Sequence, residues 1–310
     1  MSTERTEWAQ RPVMPAPQGP PTTGAAARAL SLKVPEVTAA FWVTKVLTTG
    51  MGEVLSDWLA KSVNEYLAVV AAAFALVAAL AAQLAARRYI AWLYWLAVVM
   101  VSVFGTMAAD VMHVVVGIPY AVSTSFWAVA LAVVLLLWRR AEGTLSVHSI
   151  RTGRRECWYW ATVLCTFALG TAAGDLTAYS LGLGYLASAV LFAVVIAVPA
   201  VGHAKLGMGA IGAFWFAYIV TRPLGASLAD WMAVPASRGG LDLGLGETAL
   251  GWTLAIAVCV VYLAVTGRGN GGGGGNGGGA GAGAAGGGTT GSGGAGEVPD
   301  AARAHGRHRA

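Results

Sequence analysis

The sequence has few charged residues and few cysteines, and each shortage excludes some classes of protein. Only 11% of its 310 residues are Asp, Glu, Lys or Arg, whereas 56% are hydrophobic. Together with a mean hydropathy of +0.63, this balance indicates a membrane protein rather than soluble domains. Cys157, Cys165 and Cys259 have no CxxC spacing, so neither a disulfide framework nor a clustered zinc site is expected.

Both ends of the chain lack the apolar runs that would let them fold in a membrane. Residues 1–32 are polar and rich in proline, without the apolar core or cleavage site of a signal peptide, so we expect a disordered cytoplasmic tail. Residues 267–310 are rich in glycine, and we expect a second disordered cytoplasmic tail there. No GK[ST] sequence accompanies the glycines, so a phosphate-binding loop is not indicated.

Between the tails, about eight apolar stretches have the length of a transmembrane helix, roughly twenty residues. The predicted fold class is therefore all-α, a polytopic membrane domain over residues 33–266. The Lys and Arg residues beside the stretches favour cytoplasmic N- and C-termini, with only Lys61 and Arg238 outside. This distribution explains the net charge of +5 without a nucleic-acid partner. Helical spans are typical of a bacterial or organellar inner membrane.

The pattern Trp-x9-Gly-x4-Asp recurs four times without gaps, in each case on a predicted odd-numbered helix. Its members are Trp42, Trp95, Trp160 and Trp215; Gly52, Gly105, Gly170 and Gly225; and Asp57, Asp110, Asp175 and Asp230. The repeats span about 33–88, 89–140, 155–203 and 205–266. Because each repeat has two spans, all four run in the same direction, as parallel repeats about an axis along the membrane normal. Either a four-membered ring or a pair of pairs would satisfy this symmetry.

The four tandem copies, with two spans and one Trp each, follow the segment Lys33-Val-Pro-Glu36. This arrangement resembles the bacterial membrane family catalogued as domain of unknown function 347. The resemblance covers residues 33–266 and implies a fold but no activity, since the function of that family was not established. Repeat 4 departs from the others, because Arg222 and Pro223 come just before its glycine.

The repeated Trp and Gly residues have ordinary structural explanations. We expect the tryptophans to form an aromatic belt at the membrane interface, with a cation–π or substrate contact as the alternative. We expect the glycines to allow close approach of neighbouring helices. For Gly225, which follows Pro223, the alternative is a helix break that exposes backbone carbonyls to a ligand.

Ionisable residues are concentrated on the odd-numbered helices. The helical period places Lys45, Thr49, Glu53 and Asp57 on one face, and Ser102, Thr106, Asp110 and His113 roughly on another. Thr171 and Asp175, then Arg222 and Asp230, continue this pattern. Since a helix rises about 1.5 Å per residue, each Asp lies roughly 22 Å from its repeat Trp. The four aspartates therefore share one level, in the outer half of the membrane.

The acids outnumber the buried cations on these helices. The four aspartates and Glu53 face only Lys45 and Arg222, so the surplus must be protonated, hydrated or occupied by cations. Crowded carboxylates also favour proton sharing. Glu53 lies two turns from Lys45, so we expect the partner of Lys45 in another repeat. Asp110 and His113 are a weak candidate pair of metal ligands, and a histidine with satisfied hydrogen bonds is the alternative.

These residues support two hypotheses about function. The first is a transporter or channel-like protein for a small cation or protons, with the aspartates as acids and Thr49, Thr106 and Thr171 as neutral oxygen ligands. The second is a non-transporting scaffold or sensor in which the aspartates stabilise the packing of repeats. No HExxH or GxSxG motif indicates an enzyme. We expect no cofactor; the expected partners are the lipid bilayer and, under the first hypothesis, a small cation or proton, and the sequence leaves the oligomeric state open.

Overall fold

A computed structural model describes residues 32–205 and 207–267 of the chain, and both predicted tails lie almost wholly outside these ranges. Within them there are nine α-helices and no strand, which confirms the all-α fold. The helices are α1 (Ala39–Ser62), α2 (Glu65–Ala85), α3 (Ala91–Asp110), α4 (Tyr120–Glu142), α5 (Gly153–Asp175), α6 (Gly184–Val195), α7 (Ala197–Lys205), α8 (Ala210–Ala233) and α9 (Leu245–Thr266). Single turns of π-helix, Val111–Val115 and Leu176–Ser180, extend α3 and α5.

Six helices of the described residues are long and apolar enough to cross a membrane: α2, α3, α4, α5, α6 together with α7, and α9. The helices α1 and α8 are outside this set. They carry three buried charged residues, Lys45 and Glu53 on α1 and Arg222 on α8. The structure therefore supports a multi-pass membrane protein. Of the eight predicted spans, six are long and apolar enough to cross a membrane.

Local sequence determines where several helices begin and end. The side chains of Thr38, Asn64 and Thr152 accept hydrogen bonds from free backbone N–H groups at the starts of α1, α2 and α5. At the end of α4, Gly143 adopts a φ of 73°, which glycine reaches without strain. In α8, Pro223 lies inside a helix that continues to Ala233. The predicted alternative of a helix break beside Gly225 is therefore wrong.

The first helices of the repeats, α1, α3, α5 and α8, form a closed ring. Each packs against the first helices of the two neighbouring repeats, and α8 returns to α1. The repeat glycines lie at these four contacts, where a Cβ atom would collide with the next helix. The contacts are Gly52 with Ser102, Gly105 with Phe167, Gly170 with Arg222, and Gly225 with Thr49. The symmetry is thus that of a ring, and the prediction that the glycines allow close approach is confirmed.

The second helices surround this ring. Each packs on the first helix of the following repeat: α2 on α3, α4 on α5, α6 and α7 on α8, and α9 on α1. Their outward faces carry large apolar side chains, such as Phe74, which is 74% exposed. Such a surface is unfavourable in water and suits contact with lipid. The ring of first helices therefore forms the interior, and polar residues on it are shielded from lipid.

The tryptophan end of the ring, where the four repeat tryptophans lie, is filled by aromatic side chains. The residue before each Trp contacts the Trp of a neighbouring repeat. Ring centroids are 5.7 Å apart for Phe41 and Trp95, 5.5 Å for Tyr94 and Trp160, 6.2 Å for Tyr159 and Trp215, and 5.7 Å for Phe214 and Trp42. Trp95, Trp160 and Trp215 are buried and Trp42 is half-buried. The prediction of an interfacial belt is therefore wrong, because these positions face the inside of the ring.

Candidate functional site

The repeat alignment divides the interior of the ring into layers, because equivalent positions of the four helices lie at similar levels. The first layer lies three residues before the repeat glycines and contains Thr49, Ser102, Phe167 and Arg222. The second layer lies one residue after the glycines and contains Glu53, Thr106, Thr171 and Ala226. The third layer lies five residues after the glycines and contains the four aspartates. From the tryptophan end to the opposite end, called here the aspartate end, the aromatic residues come first, then the layers that contain Arg222 and Glu53, and last the four aspartates.

Arg222 of repeat 4 joins all four repeats at the middle of the ring. Its buried guanidinium donates through Nη2 to Oε2 of Glu53 at 2.6 Å and to the hydroxyl oxygen of Thr171 at 2.7 Å. Nη2 also donates to the Thr106 hydroxyl, and Nη1 to the backbone carbonyl of Thr49 at 3.2 Å. In repeat 4 the position equivalent to Glu53, Thr106 and Thr171 is the small Ala226, which leaves room for the guanidinium.

This junction corrects the predicted role of the threonines. Thr106 and Thr171 use their hydroxyls to bind Arg222, and the Thr49 hydroxyl donates to the Val46 carbonyl at 2.6 Å. Thr49, Thr106 and Thr171 are absent from the residues that line the cavity at the aspartate end. In this structure they are ligands of a built-in cation rather than of a free ion.

Lys45 is the second buried cation, and it lies toward the tryptophan end. Its Nζ is 3.4 Å from the Thr221 hydroxyl and 4.3 Å from the ring centroids of both Phe167 and Tyr218. Among residues 32–205 and 207–267, no carboxylate lies within ion-pair distance of it. The neighbours of Lys45 do belong to other repeats, as predicted, but they are aromatic and hydroxyl groups instead of acids.

The four repeat aspartates line a single cavity of about 580 Å³ at the aspartate end, together with Glu53. Asp57 pairs with Lys61 at 2.8 Å, in the next turn of the same helix. By contrast, the carboxylates of Asp110, Asp175 and Asp230 make no hydrogen bond or ion pair with any side chain in the described part of the chain. Lys61 and Arg238 also line the cavity, but neither forms an ion pair with these three acids, which therefore have no direct cationic partner among the described residues.

Tyrosine rings form much of the remaining wall: Tyr66, Tyr120, Tyr179 and Tyr185. The rings of Tyr120 and Tyr179 stack with centroids 5.8 Å apart, and the hydroxyls of Tyr179 and Tyr185 are 2.5 Å apart. Sequence reasoning missed these residues, although a signal was present: Tyr120 and Tyr185 each follow their repeat aspartate by ten residues. In the sequence, the π-helical turns lie between Asp110 and Tyr120 and between Asp175 and Tyr185, and Tyr179 belongs to the second turn.

His113, one of the two candidate metal ligands, has hydrogen-bond partners within the protein. Both ring nitrogens of His113 are engaged, Nδ1 with the Ile118 carbonyl at 2.9 Å and Nε2 with the Ser123 hydroxyl at 3.2 Å. The candidate pair of Asp110 and His113 is therefore not a metal site here, and His113 is a satisfied polar residue. Within the described residues, no three His, Cys, Asp or Glu side chains are close enough to hold one metal ion.

A second buried ion pair lies near the tryptophan end and was also missed. Lys33 contacts Glu156 at 2.5 Å and the Leu84 carbonyl at 3.0 Å, and Gln83 donates to Glu156 at 2.9 Å. Lys33 and Glu156 are both buried, so Lys33, the first residue of the segment that precedes α1, has a structural role. This network ties the segment before α1 to the end of α2 and the start of α5.

The ring of first helices, with its cavity at one end, defines a four-repeat helical protein of membrane type. The family model described as Repeat of Unknown Function (DUF347) matches residues 40–89, 93–144, 158–206 and 213–268. The chain therefore belongs to the DUF347 repeat family, which confirms the resemblance inferred from the repeat pattern. Comparisons with curated proteins and with solved structures gave no match.

Proposed function

We propose that this protein binds small cations or protons in the aspartate cavity, as a membrane transporter or channel-like protein. The observation that carries the proposal is the presence of Asp110, Asp175 and Asp230 in one cavity with no cationic partner from the described residues. An acidic group inside a membrane protein is costly, by roughly 2.5–3.5 kcal/mol for an Asp at the centre of a helix on insertion scales. A bound cation or shared protons would offset that cost.

The distribution of charge supports a cavity that opens to the outside of an inner membrane. Lys and Arg residues flank the tryptophan end, in pairs such as Arg139 and Arg140, which favours a cytoplasmic position for that end. Between the cavity and the tryptophan end, the interior of the ring is filled by Arg222, Lys45 and the aromatic side chains of the tryptophan end. We infer that cations enter from the outside and that passage to the cytoplasm requires Arg222 to leave Glu53.

The alternative is a membrane scaffold or sensor that transports nothing. The Arg222 junction favours it, since one side chain of repeat 4 holds the other three repeats together. However, packing gives no role to Asp110, Asp175 and Asp230, whose carboxylates contact no partner group of the described residues. We therefore favour cation binding, and we assign the protein no catalytic reaction, cofactor or nucleic-acid partner.

The test is flux across proteoliposomes that contain the full-length protein. The parent is expected to move monovalent cations or protons along an imposed gradient, and Asp110→Asn, Asp175→Asn and Asp230→Asn to reduce the flux, because each removes one negative charge from the cavity. The matched control is Asp242→Asn, an exposed residue outside the cavity whose φ of 58° suits Asn. Absence of flux from the parent, or equal flux in the parent and all three variants, would contradict a transport role.

A further inference from the structure

We propose that the cavity binds an organic ammonium cation with apolar substituents rather than a bare inorganic ion; this inference rests on the proposed function. The first reason is size. The cavity encloses about 580 Å³, whereas one water occupies about 30 Å³ in the liquid. Pockets for small organic molecules measure about 300–1,000 Å³. A dehydrated metal ion needs several converging ligands instead, and the described residues hold no such group.

The aromatic wall is the second reason. Four tyrosine rings line the cavity, and the electron-rich face of an aromatic ring attracts an ammonium group. The ring of Tyr120 stacks on that of Tyr179 and contacts the ring of His113, so these side chains form a continuous aromatic surface beside the acids. Val69, Val70 and Met107 line the same cavity and would contact alkyl groups, which an inorganic ion does not have.

The third reason is the negative charge of the cavity, which an ammonium group would neutralise. Besides the three unpaired aspartates, Glu53 lines the cavity although it is only 5% exposed. Its Oε2 binds Arg222 and Thr106, while its Oε1 has no hydrogen-bond partner in the described part of the chain. Glu53 is therefore a buried acid of the cavity wall with one carboxylate oxygen left for a ligand, and we assign it to the ammonium group.

The interior of the ring already holds two cations by these same interactions. Lys45 lies 4.3 Å from two aromatic ring centroids, and Arg222 is held by Glu53 with its guanidinium carbon 5.5 Å from the Phe167 centroid. These tethered cations are alkylammonium and guanidinium groups, not metal ions. The cavity at the aspartate end offers the same combination of aromatic rings and carboxylates to a free ligand of similar chemistry.

Equilibrium binding of radiolabelled tetraethylammonium to the purified full-length protein tests this inference. We expect saturable binding that falls when Asp110, Asp175 or Asp230 is changed to Asn. Tyr120→Phe should keep the affinity within about twofold, whereas Tyr120→Leu should weaken it about tenfold, because only the latter removes the ring. Phe74→Leu, on the lipid-facing surface of α2, removes an aromatic ring outside the cavity and should change nothing.

The possible results separate this inference from the proposed function. If tetraethylammonium does not bind but Na⁺ or Mn²⁺ binds in a manner that requires the aspartates, the organic-cation inference fails and cation binding stands. If neither class of cation binds, the organic-cation inference fails, and the proposed function fails as well unless the proteoliposomes show a proton flux that requires the aspartates. Equal affinities of Tyr120→Phe and Tyr120→Leu would also overturn the role of the ring. Should Tyr120→Leu not fold, the same comparison at Tyr66, an exposed residue of the cavity wall, replaces it.

Discussion

Removal of the Arg222 guanidinium should destabilise the protein strongly, because it leaves Glu53 as an unpaired buried acid. Arg222→Met keeps an unbranched side chain against Gly170 but deletes the hydrogen bonds to Glu53, Thr106 and Thr171. Breaking a buried ion pair by removing one partner costs about 3–5 kcal/mol. Replacing both charges by apolar groups is often nearly neutral. We therefore expect the double variant Arg222→Met/Glu53→Leu to lose much less stability than the sum of its two single changes.

Titration of the detergent-solubilised protein with SDS, followed by tryptophan fluorescence, gives the free energy of unfolding for each variant. The control is Lys61→Met, which breaks the exposed pair with Asp57; Lys61 is 60% exposed, and such pairs contribute about 0–1 kcal/mol. A cost below about 1 kcal/mol for Arg222→Met would refute the idea that Arg222 holds the repeats together. Strict additivity in the double variant would refute direct coupling between Arg222 and Glu53.

Three further predictions concern packing, the second ion pair and orientation. Gly105→Ala should cost about 1–3 kcal/mol in the same unfolding assay, because its Cβ would lie 2.8 Å from the next helix of the ring; Gly212→Ala, where the space is open, should cost nothing, since Ala favours a helix more than Gly does. Glu156→Gln should cost about 3–5 kcal/mol by leaving Lys33 buried without its acid, and a change below about 1 kcal/mol would contradict that assignment. In a cysteine-free background, Ala60→Cys in the cavity wall should react with a membrane-impermeant thiol reagent on intact cells, and labelling only after permeabilisation would reverse the proposed orientation.

The spacing of Trp, Gly and Asp was sufficient to predict the repeats, and the glycines indicated where helices approach closely. Regular periodicity reports the depth of a residue and the face of its own helix. It does not report which neighbouring helix that face meets. The tryptophans show the difference: their predicted depth led to the prediction of an interfacial belt, but their helices form the inner ring, so Trp95 and Trp160 are buried.

The candidate site was predictable to a similar extent. The surplus of acids over buried cations followed from counting residues on the odd-numbered helices, and Asp110 and Asp230 do share a cavity. The partner of Arg222 did not follow, because Glu53 is 169 positions away in the chain. The cavity tyrosines were missed because they belong to the starts of second helices and the segments before them, outside the ungapped pattern.

The most direct test of the account is equilibrium cation binding to the triple variant Asp110→Asn/Asp175→Asn/Asp230→Asn. Purified parent, triple variant and the Asp242→Asn control are titrated at one pH and ionic strength with the same labelled cation, either tetraethylammonium or Na⁺, whichever the parent binds. We predict that the parent and the control bind alike, and that the triple variant, still folded by its SDS titration, loses binding by at least about a hundredfold, since three charges leave the cavity. Binding by the folded triple variant with parental affinity would contradict the claim that these acids form the cation site.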